Sequence, residues 1–400
     1  MTALAADQAP TPRRLRIAVL NRQFSGTGGG AERYSIALVE QLAAQHDIHV
    51  FAQHIDHVWP GVTYHQVSAP LTRPRWLNQL WFATATWWAT RKGFDVVHSH
   101  ENTWHGHVQT VHVLPIKYNL LQGVQGARLA LRWLNIITSP RLLVYLALER
   151  SRFAVRQPRA LVLTSQTLVA QVLQTYPACQ AALSVITPGV ERVVGAASAA
   201  EQAAARARLG LPLEGFGILF VGNDYRKKGL TSLIQALAQL PRSCFVAVVG
   251  NPAQTAHFKV QAQSAGVAAQ VFFLGSLADV GVAYQAADCL AHPTLEDTFA
   301  MVVLEAMAHG LPVVVSAARY CGIAALLTDE VNALVLADPQ NAWALSTALS
   351  RLQQEGALRQ QLSQAALAFA QNHQWSALAQ RQAQIYADLA DHRQPDTGRS

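Results

Sequence analysis

The stretch Leu290 to Ser316, LAHPTLEDTFAMVVLEAMAHGLPVVVS, holds the residues whose types and spacing most plainly suggest chemistry. An apolar run ends at His292, and Pro293 and Thr294 break it. Asp297 or Thr298 then suits the N-cap of a helix over Phe299 to His309, which Gly310 and Pro312 stop. The N–H groups of Phe299, Ala300 and Met301 would have no partner inside such a helix, so they would form an anion site fit for a phosphate.

Glu296 and Asp297 stand beside that site, and a bare phosphate would be repelled by them. A polyhydroxylated group between the two removes the conflict: its hydroxyls donate to the carboxylate while the phosphate faces the N–H groups. A nucleotide-sugar has that form. Glu305 lies eight residues beyond Asp297, about 12 Å along a helix, with its side chain leaning back toward the helix start and so toward a ribose behind the diphosphate. Spacing alone equally allows an Asp297 that only caps the helix and a Glu305 that only faces solvent.

These groups need strands and loops to place them. Leu15 to Leu20 is a short apolar run of buried-strand type, followed by NRQFSGTGGGAERY and an amphipathic helix to about Ala44. Strand, glycine loop and helix open a nucleotide-binding α/β unit, in which Gly28, Gly29 and Gly30 would let the backbone approach a phosphate; a flexible turn would use the same residues. Further strands are expected at 47–52, 95–98, 108–113, 160–165 and 183–187, then again at 216–222, 244–250, 271–275, 288–292, 312–316 and 333–336, separated by helical stretches. Such alternation, twice over, implies two parallel sheets covered by helices on both faces. His98, His100 and His112 fall at strand ends, where ligands bind in such sheets, although histidines there are often structural. After the strand at 216–222 comes NDYRKKGL, whose Arg226, Lys227 and Lys228 would share the ligand edge with Asp297 if they are more than a solvated loop.

With 51% hydrophobic and 14% charged residues among 400, the chain can bury two cores of ordinary size. Cys179, Cys244, Cys289 and Cys321 are scattered, with no C-x-x-C pair, which argues against a disulfide framework or a zinc site. No metal site is expected, since no D-x-D pair lies near the acids. Residues 1–14 lack the apolar core of a signal peptide, and no uninterrupted apolar run reaches membrane-spanning length. A soluble or peripheral protein of the cytosol is therefore expected. The net charge of +7 suggests an anionic partner. Much of that charge falls between Leu114 and Arg159, where Lys117, Arg128, Arg132, Arg141, Arg150, Arg152, Arg156 and Arg159 face the single acid Glu149. ARLALRWLNII and RLLVYLALERSRFAV mix bases with aromatic and aliphatic residues as helices on an anionic bilayer do, with Arg128, Arg132, Trp133 and Arg141 as membrane contacts; two ordinary core-facing helices would read similarly. No nucleic-acid module is recognisable, so nucleic acid is not an expected partner.

Asp297, Phe299, Glu305, Ala306, Met307 and Gly310 to Pro312 together resemble the E-x7-E segment of retaining family-four glycosyltransferases. NDYRKKG is similar to their G-R-L-x-x-x-K-G motif, with Lys228 on its lysine and Asn223 where the arginine usually stands. His112 matches a histidine near the donor sugar, and Gly29 with Gly30 a glycine pair facing the donor diphosphate. The first acid is Asp297 rather than Glu, with Glu296 before it as the other candidate for the sugar contact, and Ala300 replaces a usual glycine. Within the family the chain looks most like lipopolysaccharide inner-core glucosyltransferases.

The resemblance implies a GT-B fold, α/β, of two Rossmann-like doubly wound domains facing across a cleft. An N-terminal acceptor domain would span 15–190, including the basic segment 114–159. A nucleotide-sugar domain would span 191–373, a helix at 374–390 would cross back to the first domain, and 1–14 and 391–400 would be tails. It further implies a metal-independent hexosyltransferase, without cofactor, that uses UDP-glucose as co-substrate on a lipid-linked or lipopolysaccharide-core acceptor at the inner face of the cytoplasmic membrane. Asp297, Lys228 and His112 would act in catalysis. Donor contacts would come from Gly29, Gly30, Asn223, Arg226, Lys227, Lys228, Glu296, Phe299, Ala300, Met301, Val302 and Glu305. GDP-mannose or UDP-N-acetylglucosamine as donor, an epimerase or phosphorylase on the same fold, and a catalytically silent membrane scaffold are the other readings.

Overall fold

The computed structural model describes residues 13–26, 29–154 and 158–392. Gly28, Arg156, residues 1–12 of the expected N-terminal tail and 393–400 of the C-terminal one lie outside the described residues. In chain order the strands are β1 (Arg16–Leu20), β2 (Gln23–Phe24), β3 (Asp47–Ala52), β4 (His54–Ile55), β5 (Val62–Gln66), β6 (Val96–Ser99), β7 (Val108–Val111), β8 (Ala160–Leu163), β9 (Leu183–Val185), β10 (Phe216–Val221), β11 (Cys244–Val249), β12 (Val271–Gly275), β13 (Cys289–His292), β14 (Val313–Ser316) and β15 (Leu334–Leu336). The α-helices are α1 (Gly30–Leu42), α2 (Arg75–Thr90), α3 (Ile116–Leu121), α4 (Ala127–Thr138), α5 (Pro140–Arg152), α6 (Gln166–Thr175), α7 (Ala199–Leu209), α8 (Leu230–Leu237), α9 (Thr255–Ser264), α10 (Gly281–Ala286), α11 (Met301–Ala308), α12 (Ala342–Gln354), α13 (Gly356–Gln371) and α14 (Trp375–Asp391).

Two large sheets hold these strands except β2 and β4, which pair with each other. The first runs β5-β3-β1-β6-β7-β8-β9 and the second β12-β11-β10-β13-β14-β15. In each, the chain starts at an inner strand, winds outward, then returns and winds the other way, the doubly wound Rossmann order. The reversal falls between β1 and β6 in the first sheet and between β10 and β13 in the second, and both of these pairs are parallel. By compactness, one unit comprises the chain up to Thr110 with Gly123–Val162 and everything from Ala379, and the other comprises Val111–Gln122 with Leu163–Leu378.

The second sheet shows why its strands are continuous apolar runs. Ile218 and Phe220 of β10 join Val246 and Val248 of β11 in one core cluster, while Leu219 and Val221 join Phe245 and Ala247 in another. Both faces are covered, so neither side of these strands can be polar. In the first unit, Ala18, Leu20, Phe51, Phe82 and Val97 form a corresponding cluster. There Tyr386 of α14 meets the buried His98 Nδ1 at 2.6 Å, and the other ring nitrogen meets Thr110 Oγ1 at 2.6 Å, so this strand-end histidine is tied up in structure. His100 is also buried, and its imidazole is pushed down to about 3 by burial and by Arg152. It stays uncharged at neutral pH.

The alanine-rich connector forms α7, opened by a capping box between Ser198 and Glu201. Its Arg206 is almost wholly buried, with Nε donating to the Ala286 carbonyl, Nη1 to Leu213 and Gly215, and Nη2 to Asp288 Oδ2 at 2.7 Å. Asp288 also accepts the Gly217 N–H, so this cluster pins α7 to the start of β10 and β13. Removing the cation leaves a carboxylate short of its partner. Arg206→Met is therefore expected to lower stability by about 3 kcal/mol or more, read as a shift in the urea midpoint; a shift within error would show that the cluster does not hold the sheet.

Candidate functional site

In a doubly wound sheet the crevice at the C-terminal strand ends, where the order reverses, is where a ligand has room. In the second unit this point lies between β10 and β13. The loop after β10 carries Lys227 and Lys228, and the loop after β13 carries Glu296 and Asp297. The two loops are sewn together by backbone contacts: Leu295 N–H donates to the Lys227 carbonyl at 2.9 Å, and Thr294 Oγ1 to the same carbonyl at 3.3 Å. Gly229, at φ +83°, packs so tightly that a Cβ there would stand 1.9 Å from the Pro293 carbonyl oxygen. No other residue fits there.

Lys228 Nζ lies 2.5 Å from Asp297 Oδ2 and 3.3 Å from the Glu296 carbonyl, and Lys227 Nζ lies 2.7 Å from Glu296 Oε1. The first pair is largely sheltered; the second is nearly half exposed and contributes little to stability. His292, at the end of β13 and fully buried, brings Nε2 to 3.2 Å from the same Asp297 Oδ2. Burial opposes ionisation of Asp297, yet the His292 hydrogen bond and the Lys228 charge hold its carboxyl well below the usual carboxylate range. His292 itself is pushed below its ordinary value by burial, against the pull of Asp297.

The structure corrects the expected helix start. The helix begins at Met301, two residues later than expected, because Ala300 adopts a left-handed conformation at φ 73°. Asp297 Oδ1 accepts the Phe299 N–H at 3.3 Å and the Ala300 N–H at 2.9 Å. Two of the three N–H groups expected to face a phosphate are thus taken by the neighbouring acid. The N-cap is accordingly Ala300, without a side-chain cap, and not the expected Asp297 or Thr298; Asp297 instead closes the loop ahead of the helix.

Other expected residues are distributed as follows. Glu305 is half-buried and accepts from Tyr284 Oη at 2.8 Å, so it is held rather than simply solvated. Phe299 is buried; Met301 and Val302 are partly so. The His112 carbonyl accepts from Thr298 Oγ1 at 2.8 Å, which sets this residue beside the acidic loop. Asn223 instead accepts the Asn251 N–H at 3.2 Å, and Arg226 is exposed, its backbone N–H directed to Gln254. Neither side chain has a described contact with the Lys228 and Asp297 pair. Gly29 and Gly30 lie in the first unit, where Gly29 caps α1. Leu114, Ser165, Thr167, Thr298 and Arg319 line a shallow recess in the second unit, whose wall includes Glu296 and Asp297. His292 was legible only as a strand end; its place at the reversal point was the available signal.

In the basic segment, α4 packs on α5 and α5 on α2. Of the α4 side chains only Ile136 is buried, leaving Leu131, Trp133, Leu134 and Ile137 exposed beside Arg128 and Arg132. α4 is therefore not an ordinary core helix. α5 is more conventional, burying Leu148, Glu149 and Arg152 and exposing Arg141. Among the described residues no helix is long and apolar enough to cross a membrane.

The fold and the site together define a GT-B protein. Residues 28–192 match the Glycosyltransferase Family 4 model and residues 201–369 the model for Glycosyl transferases group 1, and the chain belongs to this glycosyltransferase family. It is 32% identical over 246 residues to a D-inositol 3-phosphate glycosyltransferase of Salinispora arenicola, covering 57% of this chain and 54% of the relative. It is 28% identical over 247 residues to the lipopolysaccharide glucosyltransferase WaaG of Escherichia coli, covering 60% and 65%. The chain thus spans about half to two thirds of the length of these curated relatives. A crystal structure of WaaG superposes with a TM-score of 0.79 at 22% identity, over 92% of this chain and 99% of that one. Anabaena HepE in complex with UDP-glucose gives 0.73 at 19%, over 94% and 100%.

The left-handed Ala300 yields a test of the loop itself. A non-glycine residue there is strained by about 1 kcal/mol, so Ala300→Gly is expected to be neutral or stabilising by up to about 1 kcal/mol, whereas the same change inside a helix costs about that much. Thermal melting distinguishes the two signs.

Proposed function

We propose that the chain is a retaining glycosyltransferase that moves glucose from UDP-glucose to a membrane-associated glycan acceptor such as lipopolysaccharide core. The observation that carries the reading is the sheltered Lys228 and Asp297 pair at the sheet's reversal point, a cation for a diphosphate beside an ionised acid for sugar hydroxyls. Relatives named as glucosyltransferase and inositol phosphate glycosyltransferase, and a neighbour holding UDP-glucose, support the donor class.

In the reaction the bond between the sugar's anomeric carbon and the diphosphate breaks, and the acceptor oxygen forms a new bond to that carbon on the face the diphosphate leaves. Negative charge grows on the departing phosphate, which takes up the acceptor's proton. Lys228, with Lys227 behind it, stabilises that charge in a sheltered site and supplies what a metal ion would otherwise supply. Asp297 and His112 position the sugar, and Glu305, steadied by Tyr284, holds the ribose. Transfer should accordingly survive a chelator.

The exposed apolar face of α4 would insert into the inner leaflet of the cytoplasmic membrane while Arg128, Arg132 and Arg141 meet anionic headgroups, each contributing on the order of 1 kcal/mol. This would bring the protein to an acceptor fixed in that leaflet.

A set of three variants tests the site. Lys228→Ala should lower turnover about 10²-fold or more. Asp297→Asn should abolish transfer while leaving UDP affinity intact or tighter, since it releases Lys228; Glu305→Gln should weaken UDP itself. Wild-type turnover in a folded Lys228→Ala protein, or weakened UDP in Asp297→Asn with none in Glu305→Gln, would overturn the assignment. For the membrane, the protein should co-sediment with anionic vesicles and release at high salt, and reversing Arg128, Arg132 and Arg141 to Glu should abolish this. Equal sedimentation with neutral vesicles would refute the docking role.

A further inference from the structure

We propose that His292 is a positioning residue for transfer, which keeps the Asp297 carboxylate aimed when Lys228 leaves it for the donor's diphosphate. The inference rests on the reading of the site given above. The carboxylate has two differently supported oxygens. Oδ1 is committed to the Phe299 and Ala300 N–H groups of its own loop. Oδ2 has two side-chain donors, Lys228 Nζ at 2.5 Å and His292 Nε2 at 3.2 Å. A diphosphate competes for the lysine, which is long and flexible; it cannot compete for the imidazole, which is fully buried at the end of a central strand. Once the lysine has moved, the imidazole N–H is the side-chain donor that still holds Oδ2.

The imidazole is in the right state for that role. Nδ1 is buried and has no hydrogen-bond partner among the described residues, so a proton there would be an unsatisfied donor in the interior. The ring's single proton therefore belongs on Nε2, facing Asp297. The charged and titratable groups around the pair are Lys228 from the loop after β10, Glu296 with its partner Lys227 at the loop's outer edge, and the buried Cys321 thiol, which burial and the Asp297 charge push well up so that it stays neutral. None of them replaces an N–H aimed at Oδ2. The ring's backbone is fixed as well, since Pro293 is clamped against Gly229 and the Ser316 hydroxyl donates to the Thr294 carbonyl at 2.8 Å.

The test compares His292→Leu, which removes the donor, with His292→Gln, whose amide nitrogen can reach the place of Nε2. UDP affinity is measured by calorimetry, and kcat and the donor KM for transfer from UDP-glucose are measured at neutral pH. His292→Leu should lower kcat about tenfold or more with the donor KM and UDP affinity within about twofold of wild type. His292→Gln should restore most of kcat. Equal losses of kcat in Gln and Leu, or a His292→Leu loss that falls on UDP affinity instead of kcat, would overturn the proposal. If His292→Leu does not fold, His292→Asn, whose amide is too short to reach Oδ2, carries the same expectation and the same refutation. A wild-type protein that binds no UDP would instead count against the reading of the site as a donor site.

Discussion

Four donors converge on one carboxylate, and the arrangement of the second unit's ligand edge follows from that convergence. Asp297 takes two N–H groups from its own loop, one from the strand that delivers it and one from the cation across the crevice. A buried carboxylate so surrounded stays ionised, whereas one left with the hydrophobic core alone would take up a proton. The charge of Asp297 is in this sense a property of the loop geometry as much as of the residue. Lys228 in turn is kept extended toward the crevice instead of wandering into solvent, so the two opposite charges hold each other in place.

That geometry depends on close backbone approach at several points. Gly250, at φ +143°, stands where a Cβ would lie 1.9 Å from the Gly222 carbonyl oxygen, and at Gly322 a Cβ would lie 1.8 Å from the Thr298 carbonyl oxygen. With Gly229 these contacts hold the cationic loop, the next strand's loop and the acidic loop at separations that side chains would forbid. The apolar runs of β10, β11, β13 and β14 then act as a rigid base, buried on both faces, from whose ends the loops project.

Much of this was legible in the sequence because fully buried strands leave a plain signature. Expected strands such as those at 47–52 and 271–275 coincide with β3 and β12, and others differ by one or two residues at their ends. What escaped has identifiable causes. β5, Val62–Gln66, is a half-exposed edge strand whose alternating polar residues hide it among loops, and α2 was concealed by its tryptophan and arginine content. The helix start was misplaced because Ala300 has high helix propensity but is bent left-handed by its surroundings, which local preference cannot report. Lys228, Asp297 and Glu296 do lie together at the strand ends, where motif spacing and strand-end position both put them. Asn223 and Arg226 share the same loop, where the Asn223 side chain accepts the Asn251 N–H and the Arg226 backbone N–H meets Gln254. His292 escaped because the hydrogen bond that matters forms between a strand end and a residue five positions on, through a loop path that sequence does not specify.

The shortness of Asp297 has a thermodynamic meaning. A glutamate at that position would carry its carboxylate one methylene further on a freer side chain, and a ligand would have to restrict those torsions on binding. The aspartate, already bonded to the N–H groups two and three residues ahead of it, has surrendered that freedom when the chain folds. Conformational entropy that would otherwise weaken association has been spent beforehand, at the level of on the order of 1 kcal/mol for an immobilised side chain. The loss appears in the stability of the empty protein instead, and a ligand that bonded to this carboxylate would meet an acceptor that is already still when it arrives.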